Sequence, residues 1–273
     1  YKPWGVILFS RNIKSLAQVK KLTTDIRNLF KDSKYPILID QEGGRINRLK
    51  KFINTSSFTG EYFGNLFTTD KKKFFFNYTI FIEKISDILN DIGININTVP
   101  VLDLRKKKSS SIIGNRAFST NPSIVSKIGD FCIKIFSHQK IGTVIKHIPG
   151  HGLAKVDSHK LTPKVYAKSK FLFKNDFSCF KNKDSLFSMT AHIIYKDIDP
   201  INTATHSVKI IKLIRNRLGF KNIIISDDIS MKALKFSVKI NTQKAFTAGC
   251  NLVLHCNANY KEMKIVADNS PLV

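Results

Sequence analysis

Short runs of Val, Ile, Leu and Phe recur along the chain at residues 5–9, 36–40, 94–104, 143–148, 186–194, 222–228 and 251–256. They lack the strict alternation of a half-solvated strand and read as strands buried on both faces. Between them, apolar residues return at helical spacing. Leu16, Val19, Leu22, Ile26 and Leu29 mark one such stretch in 15–30. Residues 73–92 and 122–140 behave similarly, and 208–218 follow Thr205-His206-Ser207, a capping signal. Strand–helix alternation predicts a parallel α/β architecture. The seven runs are one short of a (β/α)8 TIM barrel, and the chain starts almost on the first of them. The expectation is therefore one barrel domain over 1–273, with its first strand upstream of Tyr1. An open doubly wound sheet is the alternative, but no G-x-G-x-x-G follows the first run. Polar residues favour the barrel. Arg11 and Asn12, Asp40, Asp103, His147, His192, and Asp227 with Asp228 fall at or just past the C-terminal ends of their runs. In a barrel those ends converge on one face, where active sites are built.

Composition changes this picture little. With 42% hydrophobic residues in 273, a sizeable core is expected. No apolar run reaches the roughly 18 residues that span a bilayer. No signal-peptide pattern opens the sequence, which begins at Tyr1, so a cytoplasmic location without membrane contact is expected. Cys132, Cys179, Cys250 and Cys256 form no C-x-x-C pair and read as buried free thiols in a reducing compartment. The net charge of +25 suggests a nucleic-acid partner, but it is spread along the chain. Its tight runs are Lys71-Lys72-Lys73 and Lys106-Lys107-Lys108, neither interleaved with a stacking platform of aromatics. Abundant Lys, Ile, Asn and Phe together are what an AT-rich coding bias produces. Weak attraction to anionic substrates fits better than nucleic-acid binding.

Three constellations carry chemistry. In DQEGGRINR at 40–48 a carboxylate ends a run, two glycines turn the backbone and two arginines follow. A solvated loop would look similar. A strand-end carboxylate also suits the vicinal hydroxyls of a sugar, and arginine offers a fork to carboxylate, amide or hydroxyl. In NIIISDD at 222–228, three isoleucines deliver two adjacent aspartates. Neighbours on a strand point to opposite sides, so one faces the mouth and the other supports it. A helix N-cap before Ser230 is the alternative. In KHIPGHGLAKVDSH at 146–159, Lys146 and His147 finish a run, and Pro149, Gly150 and Gly152 open a loop carrying His151, Asp157 and His159. A carboxylate holding an imidazole fixes its tautomer and raises its basicity, making a proton-transfer device near neutral pH. The same residues suggest a metal, but no H-E-x-x-H spacing supports one.

DQEGGRINR, PVLDL at 100–104, GNRAF at 114–118, KHIPGHG with DSH, MTAHIIYKDIDP at 189–200 and ISDDISM at 225–231 together resemble the NagZ-type β-N-acetylglucosaminidases of glycoside hydrolase family 3. The resemblance covers residues 5–257 in order and spacing. It implies a single (β/α)8 barrel that hydrolyses terminal β-linked N-acetylglucosamine with retention, through a covalent glycosyl-enzyme intermediate and without metal or cofactor. Matching motif positions makes Asp227 the nucleophile, His159 the general acid/base and Asp157 its dyad partner. Asp40, Arg48, Arg116, Lys146 and His147 would bind the sugar. An imidazole replaces the second carboxyl usual in retaining glycosidases, and loop movement would deliver it. The implied substrate is a 1,6-anhydromuramyl peptide of cell-wall recycling, and the implied state a monomer. The chain departs from the family in having less sequence before its first run, in the basic 106–108 loop, and in GNRAF where GERSF is commoner. Two rivals stand beside hydrolysis. An imidazole acid/base does not repel a phosphate dianion as a carboxylate would, which allows phosphorolysis. A catalytically silent sugar-binding barrel is the other.

Overall fold

The computed structural model describes residues 1–106, 111–158 and 161–271; Lys107, Lys108 and His159 lie outside the described residues. Seven parallel strands pair in chain order: β1 Val6–Leu8, β2 Ile37–Ile39, β3 Ile96–Asn97, β4 Gly142–Ile148, β5 Phe187–Thr190, β6 Ile223–Asp228 and β7 Leu252–Leu254. Each of the seven apolar runs supplies one. The registers, for example Leu8 with Ile39, Asn97 with Thr143 and Ile225 with Met189, bring the C-terminal ends to one edge.

The sheet curls. Leu38, Ile96, Val144, Phe187, Met189 and Ile225 form one buried apolar cluster, with Ile7, Ile223, Leu252 and Leu254 packed on it. All seven strands contribute to this cluster, which a flat sheet could not arrange. Trp4, just before β1, packs edge-on against Phe187 of β5 with ring centroids 5.4 Å apart. Beyond the other end, Arg11 Nη2 donates to the Cys256 carbonyl at 2.5 Å and joins the segments that follow β1 and β7. A second, larger cluster lies between the sheet's convex face and the helices.

The helices are α1 Leu16–Phe30, α2 Gly60–Thr69, α3 Lys71–Asp91, α4 Pro122–His138, α5 Ser169–Lys174, α6 Val208–Asn216, α7 Val238–Ala248 and α8 Tyr260–Asp268. Side chains of Ser15, Thr59, Asp70, Asn121, Ser207, Ser237 and Asn259 accept amides at the start of seven of them. No described helix is long and apolar enough to cross a membrane.

Three expectations need correction. The 94–104 run keeps only Ile96–Asn97 in the ladder, with Val101 bridging to Lys146, because Pro100 has no amide to pair. The 186–194 run divides: Ile194–Tyr195 leaves the main sheet and pairs with Lys164–Val165. No helix begins at Ser230, since the Asp228 carboxylate is taken by a turn. Cys132, Cys179 and Cys250 are buried, whereas Cys256 is only partly so, and all four are free.

Candidate active site

Lys146 of β4 and two arginines converge on two carboxylates that follow β2. Asp40 follows β2, and two residues on, in the same phase of the extended backbone, comes Glu42. Arg48 Nη2 lies 2.9 Å from Asp40 Oδ2 and Lys146 Nζ lies 3.2 Å from Oδ1. The Thr98 hydroxyl also donates to Oδ1. Lys146 reaches Glu42 at 2.6 Å, and Arg116 grips Glu42 with two bonds of 2.8 Å. Burial alone would push both carboxyls up. Lys146 and Arg48 outweigh it at Asp40, which stays far below the usual range. Arg116 and Lys146 do the same at Glu42, held at about 2. Both are therefore fixed, ionised acceptors at neutral pH.

A third buried carboxylate, Asp103, organises the histidines. Its Oδ2 lies 2.7 Å from His147 Nδ1, and its Oδ1 accepts the His151 amide at 2.7 Å. Burial opposes ionisation of Asp103, but His147 pulls its pKa down. A carboxylate on Nδ1 sets the other imidazole nitrogen as the one available for chemistry. The His151 ring stacks edge-on to His147 at 5.5 Å and points Nε2 at Ser158 Oγ, 3.4 Å away. Burial pushes the His151 pKa down to about 4, so that ring is neutral.

At the end of β6 the paired aspartates divide their work. Asp228 accepts from Ser230 Oγ at 2.8 Å and from the Cys256 amide at 3.2 Å. Asp227 Oδ1 accepts the Asp228 amide at 2.7 Å and is close enough to His151 and His192 to act on both electrostatically. His192 Nε2 donates to the Asp228 carbonyl at 3.0 Å while Nδ1 meets Thr205 Oγ1 at 2.7 Å. Burial lowers its pKa and keeps it neutral. The loop after β4 rests on the loop after β6. The Ala233 amide donates to the Ser158 carbonyl at 3.2 Å, and Thr162 Oγ1 donates to the Ala233 carbonyl at 2.7 Å. Half-buried Asp157 sits in this tethered stretch.

The family model for the glycosyl hydrolase family 3 N terminal domain matches residues 4–271. The chain belongs to glycosyl hydrolase family 3. It is 34% identical to the β-hexosaminidase of Nitrosomonas eutropha over 265 residues, covering 93% of this chain and 73% of that protein. It is 32% identical to β-hexosaminidase A of Pseudoalteromonas piscicida, covering 93% of this chain but 46% of that one, so it spans about half of that relative's length. Among solved structures, native NagZ from Neisseria gonorrhoeae superposes with a TM-score of 0.88 at 28% identity, over 98% of this chain and 78% of that one.

In this family 3 domain the expected site residues fall into two groups. Asp40, Arg48, Arg116 and Lys146 form one ionic cluster with Glu42, and His147 hangs beside it on Asp103. Asp227 lies at the end of β6, Asp157 lies on the loop that is tethered to the loop after β6, and His159 lies outside the described residues. Sequence reasoning did not single out Glu42, although its two-residue offset from Asp40 carried the signal. It named Asp103 and His192 only as strand-end polar residues. Their partners, His147 and Thr205, are distant in sequence for Asp103 and hidden in a turn for His192.

Proposed function

We propose that this family 3 domain is a retaining exo-β-N-acetylglucosaminidase whose residues 1–273 act as one catalytic unit. The observation that carries the reading is the tether through Ala233. It sets the segment bearing Asp157 against the loop that follows Asp227. A proton-transfer dyad and a nucleophile need that proximity. Asp227 attacks the anomeric carbon, and its bond to that carbon forms as the glycosidic C–O bond breaks. His159, oriented by Asp157, gives its proton to the departing oxygen. The same imidazole then takes a proton from water, which displaces Asp227 and restores the starting configuration. Asp40 accepts from sugar hydroxyls while Arg48, Arg116, Lys146 and His147 donate to the sugar's oxygens or shape the pocket around them. The fuller form of the proposal is a closed (β/α)8 barrel, acting as a cytoplasmic monomer on 1,6-anhydromuramyl peptides of cell-wall recycling, without a cofactor. Those peptides carry carboxylates, which the basic chain attracts.

The test is nitrophenol release from 4-nitrophenyl β-N-acetylglucosaminide, with and without phosphate. Asp227→Ala should lower kcat by several orders of magnitude, roughly 10⁴-fold or more. His159→Ala should cost less, because an activated phenol leaves with little protonation. Equal losses on activated and natural substrates would remove the acid role from His159. Glycosyl phosphate among the products would replace hydrolysis by phosphorolysis.

A further inference from the structure

Asp176 opens a short 3-10 turn, Asp176–Phe180, that packs beneath the Gly150–Gly152 segment at the end of β4. It is 1% exposed, and neither carboxyl oxygen has a hydrogen-bond partner of good geometry among the described residues. A buried carboxyl without donors is costly, and nothing in the ionic cluster or around Asp103 uses it. What surrounds it is the turn itself. A Cβ on Gly150, whose φ is +146°, would stand 2.8 Å from Asp176 Cβ. A Cβ on Gly152 would stand 2.6 Å from Asp176 Oδ1 and 2.5 Å from the Leu104 carbonyl. Asp176 crowds both positions, together with the positive φ at Gly150 and the Leu104 carbonyl at Gly152. The Gly152 amide faces the carboxyl without completing a hydrogen bond. The preceding amide, that of His151, is already held by Asp103 at 2.7 Å. Tyr195 Oη donates to the Gly150 carbonyl at 2.5 Å from a third side.

We infer that Asp176 is a positioning residue: its ionised carboxyl attracts the Gly152 amide it faces and, with Asp103 on the His151 amide, fixes the turn that sets His151 against Ser158 and Asp227. This rests on the glycosidase reading, and the residue acts through His151 rather than on substrate. The groups facing it are Asp103 and Lys106 from the segment after β3, Cys179 in its own turn, and the Tyr195 hydroxyl. Burial raises the Asp176 pKa to about 6 despite Lys106. The attraction between the carboxylate and the Gly152 amide is therefore full above that pH and weakened below it. Lys146 and His147 precede this turn on β4 but are held by Asp40, Glu42 and Asp103 rather than by Asp176, so the effect belongs more to kcat than to KM.

The experiment compares wild type, Asp176→Ala and the near-isosteric Asp176→Asn, using steady-state kinetics on 4-nitrophenyl β-N-acetylglucosaminide from pH 5 to 8 and the Gly152 amide resonance over the same range. Asp176→Ala should lower kcat about 10- to 100-fold, the cost of an ångström-scale misplacement, with KM little changed. Asp176→Asn, whose amide oxygen still accepts, should recover most of kcat and lose the wild-type step near pH 6. The Gly152 amide should titrate near pH 6 in wild type and not in Asp176→Asn. If Asp176→Ala does not fold, the Asp176→Asn pH profile and resonance decide alone. An unchanged pH profile, or a Gly152 amide that ignores Asp176, overturns the inference. A wild type without turnover whose Gly152 amide nevertheless titrates keeps the Asp176–Gly152 interaction and overturns the glycosidase reading instead.

Discussion

Glu42 is the residue on which two cations depend. Arg116 holds it with two bonds and Lys146 with a third, all in a site where Lys146 is 3% and Glu42 7% exposed at the side chain. Glu42→Gln keeps the shape but strips the charge, leaving Arg116 facing a neutral amide and Lys146 with Asp40 as its one remaining carboxylate beside the Thr98 hydroxyl. Breaking a buried pair from one side costs about 3–5 kcal/mol, so a loss of that order in urea unfolding at pH 7 is expected. KM for the sugar should rise as well, since Lys146 and Arg116 shift. Glu42 has a depressed pKa, so its stabilisation is complete above the unfolded value of about 4.3 and fades as pH falls towards its folded value. The gap between wild type and Glu42→Gln should accordingly narrow from pH 4.3 downward. A gap independent of pH would assign the loss to packing. Much of this residue-scale chemistry was legible in the chain. Asp40, Arg48 and the paired aspartates were marked by abrupt changes from apolar to charged positions. Asp103 and Asp176 were harder to assign, because what each does is set by the Gly150–Gly152 turn far along the sequence.

Elements were read more easily than their contacts. The β-branched runs gave all seven strands, and Ser15, Asn121 and Ser207 begin their helices where the polar-to-apolar boundary put them. What no local pattern announced is the face of α2. A Cβ on Gly60 would lie 2.1 Å from the Arg116 carbonyl, and one on Gly64 only 1.6 Å from that of Phe118. The helix backbone thus lies directly on the segment that carries Arg116. Two glycines four apart look unremarkable until the partner backbone, remote in sequence, is laid against them. Gly64→Ala must push α2 and this segment apart. Overpacking of this kind costs about 1–3 kcal/mol, and the displaced Arg116 should raise KM for N-acetylglucosaminides more than it lowers kcat. A thermal melt and a KM measurement check both. A melt lowered without any change in KM would show that Arg116 keeps its place independently of α2.

At the scale of the whole molecule, stability between pH 6.5 and 4 is governed by buried imidazoles opposed by one buried carboxyl, before the depressed carboxylates begin to titrate. His151 and His206 are pushed down to about 4 by burial, and His192 is lowered by the same cause. Below the unfolded value of about 6.5 the unfolded chain binds protons that these folded rings refuse, so stability falls with pH until their folded pKa values are passed. For His151 and His206 a shift of this size is on the order of 3 kcal/mol each. Asp176, raised to about 6, works in the opposite sense. Its folded form takes a proton before the unfolded one does, so it adds stability as pH falls from about 6 towards 4. Three rings against one carboxyl leave a net loss between pH 6.5 and 4. The net charge of +25 adds a repulsion that salt screens, whereas protonation inside the fold is screened far less. Urea unfolding across this range in low and high salt should therefore show curves displaced by salt but parallel in slope. His206 lies outside the proposed site, with Nε2 on the Asn241 carbonyl at 3.2 Å. His206→Asn should flatten the slope while Asp176→Asn steepens it. A slope that disappears in high salt would transfer acid sensitivity from the buried histidines to the surface charge.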